Sequence, residues 1–337
     1  MDASPRPQKP VVRALQRVLP IVVSGAILYY YFHALDWASL RRIAAEANLP
    51  LAVAAILVPQ LIVWILGALV IQRSLVWFHG PFPLVPFIWI RGSAYILMFI
   101  NTALGGGGLV LYQQRRGDIS WTKLAGVILF RIGLGLWGIC MLMIPVTLAV
   151  HMFGLEDRIK LDMGIWWGVL IGGLLWLIDA WLYWHHGIKL GISRFVARNR
   201  DSEFWSAFQN STPRQWFIMW GLGLPQIIAM VLGYHMLNRA FGIDAPLAES
   251  IVVIPLVMLI MDLPIAFAGF GTATLAWTTF FSGYASPEQI AALTLVLPTV
   301  RMLCRATIGL LSLRPAMHDI RELIAASAPA VSRPSGP

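Results

Sequence analysis

Apolar runs of about 20 residues, the length that crosses a bilayer's hydrocarbon core as a helix, alternate with short polar loops along almost the whole chain. The pattern predicts full spans at 18–35, Leu51–Gln72, Leu124–Val150, Gly164–Trp184, Trp216–Leu237 and Ile290–Leu313. Two further apolar segments are interrupted. The first, 84–112, breaks at Asn101 and the glycines Gly105, Gly106, Gly107 and Gly108. The second, about 251–268, breaks at Asp262, Pro264, Gly269 and Gly271 and continues as TATLAWTTFF. Broken backbone survives at membrane depth only where it is buried in protein or lines a wet cavity, so both segments read as re-entrant and as candidate binding elements.

The order span, span, broken segment, span occurs twice. A shift of about 166 residues carries Leu51–Gln72 close to Trp216–Leu237 and pairs Gly105 with Gly271, Gly117 with Gly283, Ser120 with Ser286 and Ala125 with Ala291. Three full spans per half would invert the second half relative to the first, a common transporter plan. The expected fold is therefore an all-α polytopic membrane protein with six full spans and two re-entrant segments in an inverted repeat. Residues 1–17 read as a disordered basic tail, 18–313 as one transmembrane domain with halves at about 18–150 and 164–313, and 314–337 as a disordered tail.

Composition sharpens this picture. The chain is 58% hydrophobic and 12% charged, where soluble domains carry about 25% charged residues. A net charge of +9 invites a nucleic-acid reading, but the basic residues sit mainly in alternate loops, as membrane topology requires, and no soluble basic domain is present to bind nucleic acid. That distribution predicts a multi-pass topology with both termini cytoplasmic. Loop 185–215, with Lys189, Arg194, Arg198, Arg200 and Arg214, reads as an amphipathic cytoplasmic surface element touching anionic headgroups. Trp166/Trp167 and Trp181/Trp184 lie near opposite ends of one span and read as interfacial belts. Gly164, Gly168 and Gly172 on that span form a small-residue face for internal helix packing, with a homodimer contact as the alternative. Cys140 and Cys304 fall inside spans and suggest neither a disulfide nor a metal site.

Charge inside the membrane carries the candidate chemistry. Arg91, Arg131, Arg301, Arg305, Asp179 and Asp262 all lie in apolar segments, where each charge costs at least about 2.5–3.5 kcal/mol and calls for a partner or a wet cavity. Arginines can grip a lipid phosphate bidentately. The alternative is structural: Asp179 and Asp262 neutralise two arginines while Arg305 snorkels to the interface. Asn101 and Gln113 add neutral hydrogen-bonding groups beside the glycine run, which serves either as an anion nest or as a tight turn that only glycine can make. No GK[ST] follows the glycines, which excludes a nucleotide P-loop. HExxH, GxSxG and DxD patterns are absent, His151 and His235 are isolated, and His185–His186 read as interfacial. Nothing in the sequence asks for an enzyme, a metal or a cofactor.

Two stretches carry a resemblance. NTALGGGGLVLYQQRRGDISWTKLAGVILFRIGLGL (101–136) resembles the first signature of the flippase-like transmembrane family typified by the membrane region of lysylphosphatidylglycerol synthetases: a glycine-rich break, a basic doublet, and a helix bearing arginine. DLPIAFAGFGTATLAWTTFFSGYASPEQIAALTLVLPTVRMLCRATIGLL (262–311) is similar to its second. The chain departs from the pattern where it reads Leu109–Val110 in place of an acid after the first glycines, Arg131 without the usual aspartate beside it, and Thr274 in place of glutamate. The resemblance implies a membrane lipid as partner, and the missing acids shift it from a cationic aminoacyl headgroup towards an anionic or less polar lipid, including the hopanoid-associated branch. The synthetases' soluble transferase domain has no counterpart in this sequence. The resulting expectation is a lipid translocase whose site comprises Arg91, Asn101, Gly105–Gly108, Gln113, Arg131, Asp262, Gly269, Gly271, Arg301 and Arg305. The alternatives are a scaffold or accessory subunit presenting lipid to a soluble biosynthetic enzyme at the cytoplasmic face, and a membrane-embedded transferase.

Overall fold

The computed structural model describes residues 36–100, 102–152, 154, 163–189, 191–196, 201–261 and 270–327, and every regular element among them is helical. In chain order these are α1 (Trp37–Glu46), α2 (Leu49–His79), α3 (Leu84–Ile100), α4 (Thr102–Gly117), α5 (Trp121–Met152), α6 (Met163–His186), α7 (Ser193–Val196), a 3₁₀ turn at Glu203–Trp205, α8 (Ser206–Gln209), α9 (Pro213–Ala240), α10 (Leu247–Met261), α11 (Phe270–Phe281) and α12 (Pro287–Ser327). Four of them, α2, α5, α9 and α12, are long and apolar enough to cross a membrane. The span predicted at 18–35 and the tail 1–17 lie outside the described residues.

The described helices show a recurring order. A long helix, two short helices packed on each other, and a second long helix occur as α2, α3·α4, α5 and again as α9, α10·α11, α12. Even the helix starts match. The Ser120 hydroxyl accepts the Lys123 amide at 3.4 Å to open α5, and the Ser286 hydroxyl accepts the Gln289 amide at 3.2 Å to open α12, a serine cap that satisfies otherwise orphaned amides.

The chain forms two compact units, and they do not coincide with the predicted sequence halves. One comprises 1–59, 139–172 and 227–301; the other comprises 60–138, 173–226 and 302–337. In the first, Trp277 on α11 is fully buried, donates from Nε1 to the Asn238 side-chain oxygen at 2.8 Å, and meets Tyr234 edge-on with ring centres 5.4 Å apart. Gln289 donates to the carbonyls of Phe241 and Gly242 at 3.2 and 3.0 Å. That closes a turn in which Gly242 takes φ +68°, a left-handed conformation that costs glycine little. Gly233 on α9 faces the Pro59 turn of α2, where a Cβ would stand 2.5 Å from the Ala55 carbonyl oxygen.

The second unit is built on aromatic rings. Trp137 and Trp216 stack at 5.1 Å, Phe130 meets Phe208 edge-on at 5.2 Å, and Trp184 stacks on Phe208 at 5.1 Å. Offset-stacked and edge-to-face geometry adds about 0.5–1.5 kcal/mol per pair beyond burial.

Several sequence expectations are corrected here. Trp184 is 4% exposed and Trp181 packs edge-on against Trp216, so this pair belongs to the core rather than to an interfacial belt. Loop 185–215 is a surface element only in part. Ile192 and Phe195 are exposed, whereas Trp205, Ala207 and Phe208 are buried and the Phe204 carbonyl presses on Gly126 of α5. Gly168 and Gly172 meet no neighbouring atom within 4 Å among the described residues. The expected disordered tail after residue 313 is helical as far as Ser327, because Ala316, Ile320 and Leu323 continue an apolar stripe that joins the second unit's core.

Candidate functional site

The glycine run is neither a turn nor an anion nest. Gly105–Gly108 sit inside α4. Gly106, Gly107 and Gly108 lie beyond its first turn, where backbone amides are spent on the helix's own carbonyls. The predicted break falls at residue 101, outside the described residues. The four glycines also differ from one another. A Cβ on Gly105 would stand 2.7 Å from the Met98 amide nitrogen and 2.8 Å from the Ala94 carbonyl oxygen, so this glycine sets the approach of α4 to α3. Gly106 and Gly107 face open space.

Arg91, Arg131, Gln113 and Arg305 all fall in the second unit. Arg91 extends from α3 along α2. Its Nη2 lies 3.4 Å from the Val63 carbonyl, and a Cβ on Gly67 would come within 2.5 Å of that same nitrogen. Gly67 therefore makes the space this guanidinium occupies. Its Nε is buried without a hydrogen-bond partner. Arg131 lies on α5, in the same unit. Neither forms an ion pair with any described carboxylate. An unpaired charge in an apolar helical environment is costly unless an anion or water reaches it. Gln113, 2% exposed, also leaves its side-chain carbonyl oxygen without a donor.

Arg305 is accounted for differently. Its Nε donates to the Gln60 side-chain oxygen at 3.3 Å, the Gln60 amide donates to the Tyr95 hydroxyl at 3.3 Å, and the guanidinium lies 5.5 Å from the Tyr95 ring centre. A cation–π contact and a neutral amide hold this charge within the protein. It does not snorkel.

Arg301 and Gly271 fall in the first unit. Arg301 Nη2 donates to the Tyr234 hydroxyl at 2.9 Å, with no described carboxylate paired to it. Gly271 lies in the first turn of α11. Asp262 and Gly269 are outside the described residues. Asp179, the other acid considered for charge neutralisation, accepts the Ser193 amide at 2.8 Å and packs against Gly191, so it fastens the following loop rather than an arginine.

Two features had no signal in the sequence. Tyr112 donates to Asp319 at 2.6 Å and Arg116 approaches the same carboxylate at 3.8 Å, which joins α4 to the far end of α12. In the first unit, His235 Nδ1 lies 2.8 Å from the Ser250 hydroxyl. That resembles a nucleophile–base pair, but Ser250 is 0% exposed and no substrate carbonyl reaches it. Thr274, in the position of the family's glutamate, is buried with its hydroxyl 3.2 Å from that of Thr294. Among the described residues no cluster of three His, Cys, Asp or Glu could hold a metal ion.

No curated protein matches the chain. The family model for the lysylphosphatidylglycerol synthase TM region matches residues 17–309, nearly the full length of the helical region. With its long apolar helices, the chain is a multi-pass membrane protein tied to lipid metabolism, and it belongs to the lysylphosphatidylglycerol synthase transmembrane family.

Proposed function

We propose that the protein is a lipid translocase of the bacterial cytoplasmic membrane that handles a lipid with an anionic headgroup, and that it works by binding and moving lipid rather than by catalysis. The observation that carries this reading is that Arg91 and Arg131 lie on apolar helices of one compact unit, that neither pairs with a carboxylate among the described residues, and that Arg91 Nε is buried with no described hydrogen-bond partner. A phosphate diester would supply the missing counter-charge and accept unspent guanidinium donors. The paired short helices α3·α4 and α10·α11 support re-entrant segments, and their recurrence at a spacing of about 166 residues supports an inverted repeat. In this reading 18–35 and α6 supply the remaining spans, both termini are cytoplasmic, and Arg301 provides cationic character in the second repeat.

The test is dithionite-accessible transbilayer movement of fluorescent phosphatidylglycerol in proteoliposomes. Arg91→Gln and Arg131→Gln should each slow wild-type movement by at least tenfold while leaving the folded fraction unchanged. Wild-type rates in both variants would refute the site. A wild-type protein that retains phosphatidylglycerol through purification but never moves it would shift the reading to lipid presentation.

A further inference from the structure

α12 runs beyond the region shared with the family, which ends at residue 309, and its last turns lie against α4. Between them is a groove of about 420 Å³, within the range of small-molecule sites. Gly108 and Leu111 of α4 form one wall, and Ile320, Leu323 and Ile324 of α12 form the other. Leu111 is 40% exposed and Ile324 58%, so apolar surface is left open along the groove.

The polar groups at this place are unequal. Asp319 is 6% exposed, and its charge is answered on both oxygens, by Tyr112 and by Arg116. Arg115, which also lines the groove, is exposed and has no carboxylate partner among the described residues. The groove is thus an apolar slot with one unspent cation at its end. Seven residues separate Gly108 from Arg115, about 10 Å along the helix.

We propose that this groove is a binding site for an anionic phospholipid, distinct from the Arg91/Arg131 site, with an acyl chain between α4 and α12 and the phosphate on Arg115. Charge complementarity selects this occupant. A peptide strand would need backbone partners, and the Tyr112 hydroxyl in the groove is already committed to Asp319. A lipid needs only apolar walls and a cation. One wall of the groove, 320–324, lies beyond the residues that the family model matches, and the other, 108–115, lies within them.

The experiment uses the full-length protein, stripped of lipid in a neutral detergent, with photoactivatable phosphatidylglycerol carrying the reactive group on an acyl chain. Cross-linked peptides are mapped, and native mass spectrometry compares retention of phosphatidylglycerol with phosphatidylcholine of the same chains. Cross-links should map to 108–115 and 320–324, and Arg115→Gln should lower them about tenfold. Ile324→Trp, which fills an exposed part of the groove, should abolish them, while Arg131→Gln should leave them at wild-type yield. Thermal unfolding confirms that each variant is folded, and Arg115→Gln alone decides the matter if Ile324→Trp is not. The proposal is overturned by cross-links confined to other helices, by equal retention of the two lipids, or by wild-type yield in folded Arg115→Gln. Displacement by millimolar inorganic phosphate would also overturn it, because the site would then read only an anion.

Discussion

The glycine run offers the sharpest test of how α4 is held. An alanine in a helix interior is about 0.8–1.0 kcal/mol more favourable than a glycine. At Gly106 and Gly107 a new Cβ enters open space, so each Gly→Ala substitution should realise most of that gain. At Gly105 the same gain is set against overpacking. The Cβ would press on the Met98 amide nitrogen at 2.7 Å and the Ala94 carbonyl oxygen at 2.8 Å, and neither can rotate away as a side chain could. Forcing a methyl into such a contact costs about 1–3 kcal/mol, so Gly105→Ala should be less stable than Gly106→Ala by a similar amount. The measurement is the thermal unfolding midpoint in one detergent at one scan rate, since unfolding of such proteins is often irreversible and only the ranking is then meaningful. The expected order is Gly107→Ala and Gly106→Ala at or above wild type, with Gly105→Ala below it. If Gly105→Ala melted with or above Gly106→Ala, the close approach of α3 and α4 would be wrong, and with it the paired-helix reading of the first broken segment.

Other perturbations follow from the same contacts. Gly67→Ala should displace the Arg91 guanidinium and cut lipid movement in proteoliposomes as strongly as Arg91→Gln, since its Cβ would come within 2.5 Å of Nη2; wild-type movement would show that Arg91 does not act from this position. Gly126→Ala, which drives a methyl into the Phe204 carbonyl, should release 203–209 from α5 and expose Trp205 to aqueous quenchers, with a loss of about 1–3 kcal/mol in stability. Tyr112→Phe removes a hydrogen bond to a buried carboxylate and should cost about 1.5–3 kcal/mol, much of it recovered when Asp319→Asn is added, as a double-mutant cycle on unfolding would read. Asp36 caps α1, and the Ser39 hydroxyl followed by the Ala38 amide holds its carboxyl below the usual range. The cap's contribution is therefore present above the ordinary aspartate value of about 3.9 and lost as pH falls through the lower folded value; proteolysis at 37–46 should rise over that acid window and be independent of pH there in Asp36→Asn.

What the sequence showed and what it hid divide along a physical line. Where many of the helices lie was legible, because long apolar runs mark them: the predicted Leu124–Val150 is the core of α5. Which face of a helix is the core was not legible. In a membrane both the protein interior and the lipid are apolar, so Trp181 and Trp184 carry the same hydropathy as belt residues while packing against Trp216 and Phe208. The same ambiguity made Gly105–Gly108 look like a break. Their low helix propensity is real, but α3 rewards a bare backbone at Gly105, and packing outweighs propensity. The arginines stood out as functional candidates from position alone, yet their fates depend on partners far away in the chain. Arg305 finds Gln60 and Tyr95, and Arg301 finds Tyr234. Arg91 finds the Val63 carbonyl, and neither it nor Arg131 finds a described carboxylate. In the proposed reading that difference separates Arg305, whose charge meets an aromatic ring and an amide, from Arg91 and Arg131, whose charge a lipid phosphate would meet. Movement through Arg91 and Arg131 should fall with neutral headgroups, while Arg305→Lys should act through stability alone.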